Sequence, residues 1–338
     1  MTVPVIAFFN NKGGVGKTSL VYHLSWMFGH LGLRVVAADL DPQANLTAAF
    51  LDEYDLEELW SDDSHPMTIY GALQPLVERT GDVADPHIRQ FDYNVALLVG
   101  DMLLSGFEDE LSDEWYKALS SEVGSFRVLS AFWRIMQKAA REFNAALVLV
   151  DLGPNLGATN RTALISSDYI VVPLAPDLFS LQGLRNLGPT LNKWRREWRD
   201  RWARRPQGDL EIPGGRMQPI GYIILQHSER LDRPVKAYQK WMARIPEVYT
   251  REILRNSGIP STKVEHDPNC LARLKHYRSL IPMAQEARKP IFDLRPADGA
   301  IGSHYFAVQS AHADFEKLAS AIAERTGLSF PLGREALL

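Results

Sequence analysis

Cysteine is nearly absent, with Cys270 the sole one in 338 residues. That argues against an internal disulfide framework and fits a reducing compartment, so the cytoplasm is the expected location. No apolar run approaches the roughly 18 to 20 residues that span a bilayer. The segment from Phe330 to Leu338 is too short for an amphipathic anchor, and no membrane partner is expected. Neither charge sign is in large excess: the formal net charge is −4, so any attraction to nucleic acid must be local. Also missing are C-x-x-C, H-E-x-x-H and G-x-S-x-G, and with them the chemistries those patterns carry. His266 and Cys270 stand four apart with His276 nearby; without a fourth ligand, a packing role is expected in place of a zinc site. No sustained repeat, heptad series or low-complexity tract occurs.

What the chain does contain is enough apolar material for a large core, at 46% hydrophobic and 23% charged residues. Strand-like runs at Val5 to Phe9, Val35 to Ala38, Val95 to Val99, Leu147 to Val150, Tyr169 to Leu174 and Ile220 to Leu225 alternate with longer helical patterns. This alternation predicts an α/β fold, a mostly parallel β-sheet sandwiched by helices, in a single domain over residues 1–338. Val3 to Phe9 follows no basic leader or cleavage site and reads as the first strand. Residues 51–126 are acidic and are expected to form a partly helical insertion. Residues 192–216 are expected to add an Arg/Trp-rich helix and a loop marked by Pro206-Gln207-Gly208-Asp209 and Pro213-Gly214-Gly215.

In such a sheet the ligand residues follow the C-terminal ends of strands. After the first run comes Asn10-Asn11-Lys12-Gly13-Gly14-Val15-Gly16-Lys17-Thr18-Ser19, then a helical pattern through Phe28. Strand, glycine-rich loop and helix together make a phosphate cradle. Backbone N–H groups of Gly13, Gly14, Val15, Gly16, Lys17, Thr18 and Ser19 turn toward a polyanion, Lys17 supplies a cation, and Thr18 a Mg²⁺ ligand. Asn11 stands where the general pattern has its first glycine, and its tolerance of left-handed angles keeps the loop feasible.

The second run ends at Asp39-Leu40-Asp41, and alternation points both carboxylates toward the phosphate edge. Carboxylates beside a polyphosphate need a cation between them, which brings in Mg²⁺. A different reading makes both aspartates caps of the helix that follows. The run Leu147 to Val150 delivers Asp151, which fits a carboxylate holding Mg²⁺ through water.

Lys12 to Thr18, Lys-Gly-Gly-Val-Gly-Lys-Thr, resembles the deviant Walker A motif of the ParA and MinD ATPases. The segment Asp39 to Asn45, Asp168 to Leu174, Ser180 to Leu184 and Ile281 to Ile291 resemble further ParA segments in the same order. The resemblance implies a P-loop fold, ATP and ADP as nucleotides, and a homodimer across the nucleotide in which Lys12 reaches the partner's phosphates. It also implies that Asp41 positions the attacking water, that Asp39 belongs to the Mg²⁺ shell, and that a partner protein stimulates slow hydrolysis. Where the family shows Asp-x-Pro-Pro, Gly153 replaces the first proline and is expected to loosen the loop. The guanine-reading pattern Asn-Lys-x-Asp fails at Arg195 in Asn192-Lys193-Trp194-Arg195.

Between Lys193 and Arg205 lie seven basic residues against Glu197 and Asp200. Trp194, Trp198 and Trp202 make one stripe at helical spacing. The tryptophans are expected to pack on the body, while Arg195 and Arg199 offer a face for nonspecific DNA contact. Arg230 and Arg278 resemble basic DNA-binding positions of the family. No helix-turn-helix precedes the P-loop, so sequence-specific recognition is not expected. The alternatives are a nucleotide-bound interaction scaffold that docks through the acidic insertion and the tryptophan stripe, and an ATP-dependent synthetase, for which no substrate motif is present.

Overall fold

The computed structural model describes residues 2–61, 64–225, 235–256, 262–277 and 279–331, with backbone alone for 235–238. Eight strands form one sheet: β1 Val5–Phe8, β2 Val35–Asp39, β3 Ile88–Asp92, β4 Val95–Leu98, β5 Leu147–Asp151, β6 Tyr169–Leu174, β7 Gln218–Leu225 and β8 Cys270–Leu274. Their order is β3-β4-β2-β5-β1-β6-β7-β8. Every neighbouring pair is parallel except β3 with β4. All six strand-like runs in the sequence are strands of this sheet.

Alternation along the central strands divides the apolar residues between two cores. Val5, Ala7, Val36, Ala38, Val148 and Val150 face one helical layer. Ile6, Phe8, Val35, Ala37, Leu147 and Leu149 face the other. Because both faces are covered, these strands read as unbroken apolar runs. The edge strands β3 and β8 are only partly buried. Their sequences, Ile-Arg-Gln-Phe-Asp and Cys-Leu-Ala-Arg-Leu, carry polar residues that obscure them as strands.

Residues 51–126 do more than add short helices, since they contribute β3 and β4 to the sheet. They also pack on the Arg/Trp-rich segment, which is the second half of one continuous helix, Leu178–Trp202. Trp198 stacks on Trp115 with ring centroids 6.0 Å apart. Its indole Nε1 donates to the Pro213 carbonyl at 3.1 Å. The Arg201 guanidinium lies over Trp115, 3.9 Å from its ring centroid, and donates to the Trp115 carbonyl. Gly215, at φ 64°, brings its backbone against the Trp198 ring, where a Cβ would meet Cδ1 at 2.1 Å. Trp194 and Trp198 are buried and only Trp202, at 38% exposure, reaches the surface. Trp194 and Trp198 therefore pack on the body as expected, which leaves the stripe structural and not a continuous docking patch. Among the described residues, no helix is long and apolar enough to cross a membrane.

Trp198→Ala should destabilise the fold by about 3–5 kcal/mol, since it removes a buried ring and a hydrogen bond at once. Trp202→Ala should cost less than about 1 kcal/mol. Urea unfolding of the two variants checks the difference; equal losses would mean that the stripe is energetically uniform.

Candidate functional site

Four adjacent strands, β2, β5, β1 and β6, end together, and the polar residues after them converge. The parallel register places Asp39 opposite Asp151 and Phe8 opposite Asp151. From β1 the chain enters the loop 10–16 and then the helix α1, Lys17–His30. The left-handed positions of this loop are Gly14 at φ 70° and Gly16 at φ 82°. Asn11 is not among the residues with positive φ, so its left-handed tolerance is not what makes the loop possible. Asn10 braces the loop instead: its side chain donates to the Pro173 carbonyl at 2.7 Å and accepts from Lys12 N at 3.0 Å.

Lys17 is buried at the first turn of α1 and reaches back to the carbonyls of Asn10 at 3.3 Å and Lys12 at 3.5 Å. Burial lowers its pKa, while the nearby carboxylates of Asp151 and Asp41 pull it up. Thr18 Oγ1 donates to Asp151 Oδ2 at 2.6 Å, joining the loop to β5. The other oxygen, Asp151 Oδ1, is buried with no hydrogen-bond partner among the described residues.

Asp39 and Asp151 are both fully buried. Burial raises both pKa values, and each carboxylate's negative neighbours raise them further. Asp39 Oδ2 accepts from Thr47 N at 2.8 Å and Thr47 Oγ1 at 2.9 Å, and Oδ1 accepts from Asp41 N at 3.2 Å. Asp39 thus receives one backbone N–H of the first turn of the helix Asn45–Phe50, whose N-cap is Ala44. Thr47 Oγ1 in turn accepts from Gly100 N at 2.8 Å. Gly100 must remain glycine for this packing, because a Cβ there would stand 2.7 Å from the Asp39 carboxyl carbon.

Asp41 lies against the loop after β5, where a Cβ on Gly153 would come within 3.1 Å of its Oδ1. That loop is not slack: Asn160 Nδ2 donates to the carbonyls of Gly153 at 2.9 Å and Asn155 at 2.8 Å. Its buried side chain offsets the freedom that Gly153 introduces.

Lys12 turns away from Lys17. Its ammonium pairs with Asp177, the residue that caps the helix Leu178–Trp202, and lies 6.0 Å from the ring centroid of the exposed Phe179. Burial raises the Asp177 pKa, but hydrogen bonds from Lys12 and Ser180 and the Lys12 charge outweigh it and lower the pKa overall. Of the basic residues expected on a nucleic-acid face, Arg195 and Arg199 are described. Arg195 is half-buried and donates to the carbonyls of Arg216 and Met217, whereas Arg199 is exposed beside it. Arg230 and Arg278 lie outside the described residues.

The donor set fits Mg²⁺, which prefers hydroxyl and carboxylate oxygen. Thr18 Oγ1 and the carboxylates of Asp39, Asp41 and Asp151 lie at one strand edge, and the unsatisfied Asp151 Oδ1 calls for a positive partner. No group of three His, Cys, Asp or Glu side chains forms a metal-holding cluster among the described residues. A cation here would take most of its shell from phosphate and water, as Mg²⁺ commonly does.

Next to the loop opens a cavity of about 640 Å³, lined by Gly16, Thr18 and Ser19 at one end and by His23, Tyr277 and Phe315 along its wall. Sequence reasoning missed His23, although its four-residue spacing from Ser19 places both on one face of α1. Asp177, Thr47, Gly100 and Asn160 carried no local motif.

A family model described as AAA domain matches residues 3–203. An uncharacterised protein of Mycobacterium tuberculosis (strain CDC 1551 / Oshkosh) is 28% identical over 266 residues, covering 78% of this chain and 71% of that one. The sporulation initiation inhibitor protein Soj of Bacillus subtilis (strain 168) is 29% identical over 184 residues, 54% of this chain and 62% of Soj. Among solved structures, a protein of Corynebacterium diphtheriae superposes with a TM-score of 0.69 at 24% identity, covering 96% of this chain and 98% of its own. That likeness concerns the fold.

The cavity wall itself generates a pH dependence. Burial pushes the His23 pKa from 6.5 down to about 4. Across that window the unfolded chain binds the proton that the folded chain refuses, so stability is lost as pH falls. Native protein should lose about 2 kcal/mol more than His23→Leu between pH 7 and pH 5. Denaturant titrations at the two pH values measure this, and parallel losses would contradict the burial argument.

Proposed function

The chain belongs to the AAA-domain family, as a P-loop ATPase of the ParA/MinD type, and from that premise we propose that it is a cytoplasmic, Mg²⁺-dependent ATP switch. In this reading ATP joins two copies, hydrolysis releases them, and the dimer positions a DNA or protein cargo with a stimulating partner protein. The observation that carries the reading is the Thr18–Asp151 contact at 2.6 Å beside the buried Lys17. This contact, which joins the first turn of α1 to the carboxylate at the end of β5, supports a shared phosphate and cation site. Residues 1–338 act as one ATPase domain, with residues 51–126 and 192–216 bracing it through the Trp115–Trp198 stack.

Lys17 and the N–H groups of Gly13, Gly14, Val15, Gly16, Thr18 and Ser19 bind the phosphates, and the α1 N-terminus adds its partial positive charge. Thr18 and Asp151 would hold Mg²⁺, and Asp39 would belong to its shell. The ion supplies charge neutralisation between carboxylates and phosphates. Asp41, fixed against Gly153, orients the attacking water. Lys12 leaves Asp177 to reach the phosphates of the second copy, where its charge stabilises the transferring phosphoryl group.

Phosphate release from ATP and Mg²⁺ should fall by on the order of a hundredfold or more in Lys12→Ala, Lys17→Ala and Asp41→Ala. Mass measurements should show that the ATP-dependent dimer persists in Asp41→Ala. A native chain that neither binds nor hydrolyses ATP would end this reading. If the dimer engages DNA, anisotropy on a random duplex should show affinity that rises with ATP and drops steeply between about 50 and 200 mM salt. Arg199→Glu should weaken that binding. Affinity indifferent to both ATP and salt would remove DNA from the proposal.

A further inference from the structure

His23 lines the cavity beside the phosphate loop, and one of its ring nitrogens has no hydrogen-bond partner among the described residues. His23 lies five positions after Thr18, about 7.5 Å farther along the α1 axis. Its ring stacks on Phe315 with centroids 5.0 Å apart and meets Phe292 edge-on at 5.9 Å. Nδ1 lies 2.6 Å from the Ser19 carbonyl oxygen. A carbonyl only accepts, so Nδ1 carries the hydrogen. Burial keeps the imidazole neutral, and Nε2 is then a bare acceptor. Nε2 is buried and has no hydrogen-bond partner among the described residues.

Other polar side chains on the wall are already engaged. Tyr277 donates to Asp314 at 3.0 Å, Arg288 to the Leu51 carbonyl, and Lys289 to Asp298 at 2.8 Å. Gln285 and Asn45 are exposed to solvent. A buried acceptor without a donor is costly, and a ligand that brings an N–H recovers that cost.

Building on the reading of the loop as a nucleoside triphosphate site, we propose that His23 Nε2 accepts the exocyclic 6-amino group of adenine. His23 is thereby the residue that selects adenine over guanine. Guanine presents a carbonyl oxygen at that position, and two acceptors facing each other in a buried site repel. Phosphates held at Gly14 to Ser19 direct the base along α1 toward the rings of His23, Tyr277 and Phe315, and the aromatic wall receives its faces. The fixed tautomer gives the discrimination its direction: an Nδ1-protonated imidazole can accept at Nε2 but not donate.

The test is equilibrium binding of ATP, GTP and purine riboside 5′-triphosphate, which lacks the 6-amino group, to native protein, His23→Leu and His23→Gln. Native protein should bind ATP about tenfold more tightly than the deaminated analogue. His23→Leu should bind both equally, near the analogue's native affinity. His23→Gln, which keeps an acceptor, should retain part of the preference. Equal native affinities for ATP and the analogue overturn the inference without any variant. An ATP-to-analogue ratio unchanged in a folded His23→Leu does so as well, and leaves the nucleotide reading standing. A native chain that binds none of the three overturns both.

Discussion

Three carboxylates, Asp39, Asp41 and Asp151, are gathered at the ends of two paired strands and withdrawn from water, and much of the site is built around the cost of keeping them there. Parallel pairing of β2 with β5 sets Asp39 opposite Asp151, and two negative charges at that separation in a dry interior cannot both be sustained unaided. The fold answers in three ways: Thr18 donates to Asp151, Thr47 donates twice to Asp39, and the Lys17 charge sits nearby. Each answer is partial. Asp151 Oδ1 has no partner among the described residues, and a site with this residual negative character is suited to a cation that arrives with a ligand.

The same constraint explains the shape of the surroundings. Gly100 and Gly153 follow strand ends: a side chain at Gly100 would strike Asp39, and one at Gly153 would crowd Asp41. Asn10 and Asn160 are buried amides: Asn10 ties the phosphate loop to the Pro173 carbonyl of β6, and Asn160 holds carbonyls of the loop after β5, so loops that carry ligand groups do not have to hold themselves. Lys12 stands apart from this arrangement. Its pairing with Asp177 ties the phosphate loop to the first turn of the helix Leu178–Trp202, and that helix runs on to Trp198 and its stack on Trp115. One continuous element therefore links the loop at one end to the Arg/Trp-rich packing at the other.

Much of this was legible in the sequence because the relevant signals are local. Apolar runs mark strands buried on both faces, and the order strand, glycine loop, helix places Lys17 and Thr18 without reference to distant residues. Spacing alone puts Asp39 and Asp41 on one side of an extended segment. Partners far along the chain were not legible: Asp177 for Lys12, Thr47 and Gly100 for Asp39, Asn160 for the loop after β5. Each is an ordinary polar residue or glycine whose meaning comes from what packs against it. The edge strands β3 and β8 were hidden because half-exposed strands tolerate polar residues.

The sequence by itself determined the layer architecture, the phosphate loop and the set of carboxylates, since these follow from periodicity and from residue types at short range. Tertiary structure alone decided which oxygens are satisfied, that Arg195 is spent on backbone carbonyls, and that Trp202 of the stripe reaches the surface. It also decided that a histidine two turns into α1 faces a cavity with one acceptor bare. The physical reason is the same in each case: burial and hydrogen-bond satisfaction depend on groups brought together across the fold, and no local pattern encodes what will lie opposite.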